Sequence, residues 1–153
     1  MHVDPADLAA MDRALVLATA AGDEGDVPVG AVVMDAGGRV IGEGRNLRER
    51  DHDPTAHAEV VALRAAASAR GDWNLDGCTL VVTLEPCLMC AGAALQSRVS
   101  RIVFGAWDEK AGAAGSMYDV VRDRRLPYRA EVVAGVREDE ASALLRAFFD
   151  ARR

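Results

Sequence analysis

Hydrophobic and polar positions along the chain follow two periods, and each period predicts one kind of element. Five short β-prone runs predict strands, at residues 29–34, 39–44, 79–84, 101–106 and 130–136. Four segments with helical spacing or helix-start signals predict helices: one capped by Asp7, one opening at Asp53-Pro54 and running to about Arg70, one opening at Pro86, and one with Glu138 and Asp139 in its first turn.

The order of these elements indicates the architecture. Strands that alternate with helices predict an α/β fold, here a three-layer α/β/α sandwich with a central mixed five-stranded sheet. The first two strands, separated only by the turn at 35–38, form an antiparallel hairpin, and the later strands, connected through helices, run parallel. Neither a repeat nor a linker divides the sequence, so we expect one domain over residues 1–153.

Composition narrows the class of protein. Of the 153 residues, 50% are hydrophobic and 27% are charged, which is typical of a soluble globular protein. The sequence has no apolar stretch near the ~20 residues that span a bilayer, and its first residues lack the basic and apolar regions of a signal peptide. Three cysteines, two of them in a metal-type pair, favour a reducing compartment. We expect a cytoplasmic protein without a membrane contact.

The net charge of −6 and the pI near 5.0 argue against nonspecific adhesion to nucleic acid, which depends on lysine and arginine. Any contact with a polyanion must therefore use a local patch. The candidate patches are three arginine clusters: Arg45, Arg48 and Arg50; Arg122, Arg124, Arg125 and Arg129; and Arg146, Arg152 and Arg153. Runs of charge are usually solvated surfaces, so no cluster alone establishes a nucleic-acid site.

Two short motifs carry the candidate chemistry. His57-Ala58-Glu59 and Pro86-Cys87-Leu88-Met89-Cys90 supply three zinc-type ligands, His57, Cys87 and Cys90, and one free carboxylate, Glu59. A structural zinc usually has four protein ligands, whereas a hydrolytic zinc keeps one position for water and has a proton carrier beside it. The two motifs are the H-x-E and P-C-x-x-C signature of zinc-dependent base deaminases. The resulting prediction is an enzyme with one Zn²⁺ per chain.

Structural and redox roles compete with this interpretation. The cysteine pair alone could be a redox dithiol or half of a zinc ribbon, and Cys78 could complete a four-ligand site in a zinc-stabilised interaction module without catalysis. Cys78, however, begins an apolar run typical of a buried strand, where a free cysteine usually packs as a small hydrophobe. The second C-x-x-C that a ribbon needs is missing from the sequence. The catalytic interpretation is therefore favoured.

The spacing of His57 and Glu59 sets a geometric requirement. Two residues apart on a helix, they differ by about 200° around the axis, so they can share only a site in front of the helix. We therefore expect both motif helices to point their N-termini at one pocket, where the helix dipoles favour thiolates and a developing anion. Zinc would lower the pKa of a bound water, and the resulting hydroxide would attack the amine-bearing ring carbon. Glu59 would carry the proton to the ring nitrogen and then to the departing ammonia.

Over residues 27–152 the sequence resembles the bacterial tRNA-specific adenosine deaminases of the cytidine and deoxycytidylate deaminase superfamily. The resemblance is carried by four runs: Val27-Pro28-Val29-Gly30-Ala31, Asp53-Pro54-Thr55-Ala56-His57-Ala58-Glu59, Thr83-Leu84-Glu85-Pro86-Cys87-Leu88-Met89-Cys90-Ala91-Gly92-Ala93, and Gly112-Ala113-Ala114-Gly115-Ser116. It implies a cytidine-deaminase-like fold, a homodimer with one zinc per chain, and conversion of the wobble adenosine of a tRNA anticodon stem-loop to inosine.

The resemblance also implies residues that bind the substrate. Asn46 would hydrogen-bond the flipped base or its sugar, and Val29 and Leu84 would line the base pocket. Asp108 and Phe149 would lie near the bound anticodon loop. An amide both donates and accepts hydrogen bonds, which suits the mixed polar edge of a base.

Two departures from the family pattern concern the substrate. Arg45 stands where the pattern has an aromatic residue before Asn46, and residues 48–50 are unusually charged. Both bear on RNA affinity and leave the zinc ligands unaffected. The rival hypothesis is a small-molecule deaminase of the same fold that acts on guanine, cytosine or a nucleoside, and the acidic pI favours it.

Overall fold

A five-stranded sheet between two helical layers forms the body of the protein, whose computed structural model describes residues 2–153. In chain order the elements are α1 (Pro5–Asp23), β1 (Gly30–Met34), β2 (Val40–Arg45), α2 (Ala58–Arg70), β3 (Thr79–Leu84), α3 (Leu88–Gln96), β4 (Arg101–Ala106), β5 (Glu131–Val133) and α4 (Glu138–Asp150). The strand order is β2-β1-β3-β4-β5. β1 is antiparallel to β2 and β3, whereas β3, β4 and β5 are parallel. The predicted three-layer sandwich with a mixed sheet is confirmed.

Alternation along the central strands divides the core into two layers. Val82 and Phe104 pack in the layer between the sheet and the helices α2 and α3. Their neighbours Val81 and Val103 point the other way and pack with Met11 of α1. Because both faces of β3 and β4 are buried, these strands appear in the sequence as continuous apolar runs. Their observed bounds are the predicted ones.

Glycines in β2 allow α2 to lie close against the sheet. A Cβ at Gly42 would collide with the backbone of Ala62 and Ala66, and a Cβ at Gly44 would collide with the backbone of Ala58. Only glycine permits this approach without displacing the helix. The first turn of α2 is thereby held directly over the edge of the sheet.

The predicted start of α2 at Asp53-Pro54 is wrong, since the helix begins at Ala58. Asp53 instead closes a separate turn, in which its Oδ1 accepts the backbone N–H and the hydroxyl of Thr55, each at 2.8 Å. An aspartate followed by proline suits such a turn as well as it suits a helix start. His57 is consequently the N-cap of α2 and lies outside its first turn.

The predicted start of α3 at Pro86 is also wrong. α3 begins at Leu88, and Cys87 is its N-cap with an extended backbone. The chain remains extended there because Cys87 forms an isolated β-bridge with Gly112. The bridge joins the end of β3 to the long connection that follows β4.

Four smaller boundaries differ from the predictions. β1 covers Gly30–Met34 rather than residues 29–34, and β2 covers Val40–Arg45 rather than residues 39–44. α1 is capped by Asp4, and Asp7 lies within the first turn, where its carboxylate accepts the N–H of Asp4 at 2.9 Å. The last strand covers Glu131–Val133 rather than residues 130–136, because Gly135 takes a left-handed conformation with φ of 81° before α4. Within residues 2–153, no helix combines the length and the apolarity needed to cross a bilayer.

Candidate active site

A cavity of about 170 Å³ opens at the carboxyl ends of β3 and β4, in front of the N-termini of α2 and α3. Ligand sites of open α/β sheets commonly lie at this edge. Four of the five predicted substrate-binding residues line the cavity: Val29, Asn46, Leu84 and Asp108. Phe149 is outside the lining, on α4, where 47% of its surface is exposed. The structure thus brings together all the predicted residues except Phe149.

His57 and Cys87 occupy the N-caps of their helices. Their ψ angles are 152° and 175°, so neither residue has helical backbone angles. Glu59 is the second residue of α2, and Cys90 is the third of α3. A cap residue is not bound to the helical 100° spacing, which is why His57 and Glu59 reach one site from different directions. Both helices begin at the cavity.

The three candidate ligands lie at distances that fit a tetrahedral zinc site. Nδ1 of His57 is 3.6 Å from Sγ of Cys87 and 3.4 Å from Sγ of Cys90. Zn–S bonds of about 2.3 Å and Zn–N bonds of about 2.0 Å at tetrahedral angles place sulfur and nitrogen ~3.5 Å apart. Among residues 2–153, this is the one group of three potential ligand atoms that lie within 4.8 Å of one another. The three residues are positioned to hold a zinc ion.

The electrostatics of the two thiols also suit a divalent cation. Hydrogen bonds from the Cys90 thiol and from His57 lower the pKa of Cys87 to about 4. The same contact with the Cys87 sulfur, together with burial, raises the pKa of Cys90 far above its ordinary value. The contact between the two sulfurs thus favours a thiolate at Cys87 beside a thiol at Cys90. A bound cation supplies the positive charge that deprotonates both thiols.

Glu59 is the free acid of the site. Only 4% of its surface is exposed, and it lines the same cavity as His57 and Cys87. Burial raises the pKa of Glu59 to about 7, and the nearby sulfur of Cys87 adds to the rise. A carboxyl group with a pKa near neutrality can both accept and release a proton under ordinary conditions.

Cys78 does not belong to the ligand group. It directly precedes β3, at the end of the strand away from Cys87, and is fully buried. Its Sγ accepts a hydrogen bond from Nη1 of Arg70 at 3.1 Å. The four-ligand structural site considered from the sequence is therefore not formed with this cysteine.

The sequence matches the family model of the cytidine and deoxycytidylate deaminase zinc-binding region over residues 5–106. The chain belongs to this deaminase family. Among curated relatives, the chain is 49% identical over 143 residues to the tRNA-specific adenosine deaminase of Haemophilus influenzae. The matched region covers 94% of this chain and 83% of that protein.

Two further comparisons extend the family assignment. This chain is 52% identical over 141 residues to a tRNA(Ile)-lysidine synthase of Deinococcus radiodurans. That relative is longer, and the matched region spans 24% of its length. It also superposes on a solved structure from a study of A-to-I editing by tRNA:A34 deaminases at the wobble position of transfer RNA. The TM-score is 0.86 at 39% identity, with 90% of this chain and 99% of the other covered.

The sequence does not predict that several further residues line the cavity, among them Val27, Arg48, Glu85 and Ala111. Arg48 was one of three neighbouring arginines without a distinguishing signal. In the structure, Arg45 and Arg50 both pair with Glu24, at 2.7 and 3.7 Å. Arg48 is the member of that cluster that reaches the cavity. Pairing with an acid 21 or 26 positions away along the chain has no local signature.

Glu85 lies within one of the four family-like runs, and the sequence predicts no role for it. Only 1% of its surface is exposed, and it lies between the metal-ligand segment and the connection after β4. The available signal was an acidic residue at the end of an apolar strand, directly before P-C-x-x-C. An acid in that place is expected to have buried hydrogen-bond partners.

Proposed function

We propose that this chain catalyses the zinc-dependent hydrolytic deamination of adenosine at the wobble position of a tRNA anticodon, which yields inosine. The observation that carries the proposal is the set of three ligand side chains with a buried, unligated Glu59 beside them in one cavity. The similarity to tRNA-specific adenosine deaminases over most of the chain supports the choice of substrate.

Zinc held by His57, Cys87 and Cys90 would polarise a water molecule and lower its pKa toward neutrality. Glu59 would accept a proton from this water at a carboxylate oxygen and deliver it to N1 of the adenine ring. The hydroxide left from this water would add to C6 of the adenine ring, and Glu59 would then carry the proton of the new C6 hydroxyl to the exocyclic amine. The C6–N bond would break, so that the amine leaves as ammonia and C6 becomes a carbonyl. Water and adenosine are thereby converted into inosine and ammonia, and Glu59 returns to its starting state.

Asn46 is suited to hold the base. Its Oδ1 accepts the backbone N–H of Arg48 at 3.3 Å, and its own backbone N–H donates to the carbonyl oxygen of Val29 at 3.1 Å. These bonds fix the side chain at the cavity and leave its NH2 group to meet a substrate acceptor. Val29 and Leu84 would form the apolar walls of the base pocket.

The remaining contacts would join the protein to the anticodon loop around the flipped nucleotide. A base inside a duplex cannot reach a cavity of this kind, whereas a single-stranded loop can present a flipped nucleotide. Asp108, at the cavity, and Phe149, exposed on α4, would lie near the loop, and Arg48 would face its phosphates. We also propose that the protein is cytoplasmic.

A homodimer of single-domain chains covering residues 1–153 is part of the proposal. Leu88 and Met89 follow Cys87 directly and expose 53% and 37% of their surfaces. Contiguous exposed apolar patches mark interaction surfaces, and these two adjacent side chains would form part of such a patch. The experiment is to determine the molar mass in solution by light scattering, and a monomer at micromolar concentration would contradict this part.

The central experiment compares substrates. Zinc-loaded protein is incubated with an anticodon stem-loop carrying adenosine at the wobble position, with free adenosine, and with guanine and cytosine. We expect inosine in the stem-loop, detected by mass spectrometry of the digested RNA, and little or no conversion of the free compounds. A stem-loop with guanosine at the wobble position is the matched control. Turnover of a free base without any inosine in the stem-loop would instead establish the small-molecule deaminase.

A further inference from the structure

Glu85 lies between the metal-ligand segment and the loop that forms the opposite wall of the cavity. Its Oε1 accepts the backbone N–H of Asp108, and its Oε2 accepts those of Ala114 and Ser116, each at 3.0 Å. The hydroxyl oxygen of Ser116 is 2.6 Å from Oε1. A carboxylate that is 1% exposed and has this many donors is held in a single orientation.

Ser116 joins the two ends of the loop. Its hydroxyl oxygen lies 2.6 Å from Glu85 Oε1 and 2.7 Å from the backbone carbonyl oxygen of Asp108, and its one hydrogen can donate to either acceptor. The backbone N–H of Asp108 is thus fixed by Glu85, and its carbonyl oxygen accepts the N–H of Gly112 at 2.8 Å and lies within reach of the Ser116 hydroxyl. The carboxylate of Asp108 in turn accepts the N–H groups of Lys110 and Ala111, at 3.1 and 3.2 Å, which shapes the turn at the cavity.

The glycines of the Gly112–Ser116 run are required by this arrangement. A Cβ at Gly112 would overlap the carboxylate of Glu85 and the hydroxyl of Ser116. Gly115 has φ of 141°, which other residues rarely adopt, and a Cβ there would lie 3.1 Å from the ring of Trp107. The run wraps around the carboxylate of Glu85, which explains a motif that no step of the proposed reaction uses.

The same carboxylate connects this loop to the zinc site. Glu85 is two residues before Cys87, and the backbone N–H of Ala113 donates to the carbonyl oxygen of Pro86 at 2.8 Å. We name the bonds from Asp108, Ala114 and Ser116 to the carboxylate the Glu85 clasp. Through it, the segment carrying a metal ligand is hydrogen-bonded to the loop that carries part of the cavity wall.

We propose that Glu85 and Ser116 are positioning residues, which set where Asp108 and Ala111 meet an RNA substrate relative to the zinc site. The proposal rests on the proposed function for its substrate and deepens it, since it assigns the clasp to binding the presented nucleotide. Neither residue is required to touch the reacting atoms. A wall that contacts the nucleotide equally in the ground state and in the transition state contributes to KM rather than to kcat.

The test uses Ser116→Ala in the zinc-loaded, full-length protein. Removal of a hydroxyl that bonds a buried carboxylate is expected to raise KM for the anticodon stem-loop about tenfold, with kcat nearly unchanged. Hydrogen exchange measured by NMR should become faster at the amides of Asp108 and Ala114, which lose their fixed acceptor geometry. Zinc content should be unchanged. Ser116→Thr keeps the hydroxyl, and because residue 116 is exposed there is room for the added methyl group. This variant should have the wild-type KM and the wild-type exchange rates.

Two controls separate positioning from general destabilisation. Ser100→Ala removes a hydroxyl that accepts the N–H of Gly77 at 2.9 Å, at the far end of the sheet, and should change neither KM nor exchange at the loop. Glu85→Gln, which places an NH2 group against N–H donors, should exceed Ser116→Ala in both readouts.

Several results would overturn the proposal. One is an unchanged KM with unchanged exchange in Ser116→Ala, and another is a fall in kcat accompanied by loss of zinc. Equal effects of Ser100→Ala would also overturn it, because the loss would then be unspecific. If the wild-type protein leaves the stem-loop unmodified, the proposed function fails, and the exchange comparison still decides whether the clasp fixes the loop.

Discussion

On one side of the cavity His57 and Cys87 stand at helix N-caps, and on the other side the segment from Asp108 to Ser116 consists of turns and isolated bridges. The ligand side takes its geometry from regular helices packed on the sheet. The loop side takes its geometry from one buried carboxylate, that of Glu85. The two sides are therefore held by different structural devices, which meet at Glu85 and at the β-bridge between Cys87 and Gly112.

The largest expected effect follows from breaking the ligand side at Cys90. Cys90→Ala removes one of three ligands, so zinc binding and turnover should both be lost. The melting temperature should also fall by several degrees, since each ~1 kcal/mol corresponds to about 2–4 °C in a domain of this size. Elemental analysis and calorimetry measure the two quantities. Cys78→Ala is the matched control, and loss of zinc in that variant would contradict the three-ligand set.

Glu59→Gln should separate metal binding from proton transfer on the ligand side. The amide keeps the shape of the side chain but cannot accept and return the proton, so turnover should fall by about 10²–10⁴-fold. Zinc content and the melting temperature should remain near those of the wild type. Glu140→Gln, in the first turn of α4, is the control. Wild-type turnover in Glu59→Gln would exclude the proton-carrier role.

Gly112→Ala should break the loop side directly and reach the ligand side only through the β-bridge of Gly112 with Cys87. The added Cβ would overlap the carboxylate of Glu85 and the hydroxyl of Ser116, so the loop must shift. We expect KM for the stem-loop to rise by about ten- to a hundredfold, which corresponds to ~1.4–2.8 kcal/mol of lost binding. Zinc content should be unchanged. Gly92→Ala on α3 is matched, because a Cβ there meets open space, and an equal rise of KM in that variant would contradict the distinction between the two sides.

A pair at the opposite end of the sheet should affect stability and leave both sides of the cavity intact. Asp7 accepts two hydrogen bonds from Arg101, each at 3.0 Å. Burial would raise the pKa of Asp7, but the bonds from Arg101 and from the N–H of Asp4 hold it below its usual value. The ionised form is therefore stabilised by folding. This contribution is present above the unfolded-state pKa of about 3.9 and is lost as the pH falls through the lower folded-state pKa.

Asp7→Asn should accordingly lower the free energy of unfolding by about 1.5–3 kcal/mol at neutral pH and flatten its decline in acid. Urea unfolding from pH 7 to pH 2.5 measures both effects. Asp12→Asn removes an exposed partner of Arg137 and should have little effect. A change of KM or kcat at pH 7 in Asp7→Asn would show that this end of the sheet is coupled to the cavity.

Prediction from the sequence succeeded where a signal is local and continuous. β3 and β4 were predicted with their observed bounds because both of their faces are buried and the apolar runs are unbroken. α4 was predicted from its amphipathic spacing. The starts of α2 and α3 were placed four and two residues too early, because Asp53-Pro54 and Pro86 satisfy the rules for a turn and for extended chain as well as those for a helix start.

The sequence by itself determined the donor set of the site, since His57, Glu59, Cys87 and Cys90 lie in two short motifs whose residue types and spacing are set by coordination chemistry. It also determined the two-sided burial of the central strands. Only the tertiary structure decided that His57 and Cys87 are cap residues and that Glu85 meets donors 23, 29 and 31 positions further along the chain. Such contacts depend on the parallel register of β3 and β4, which places distant segments at one edge of the sheet. The hydrophobic pattern of a single segment does not specify which distant segment it pairs with, or in which register.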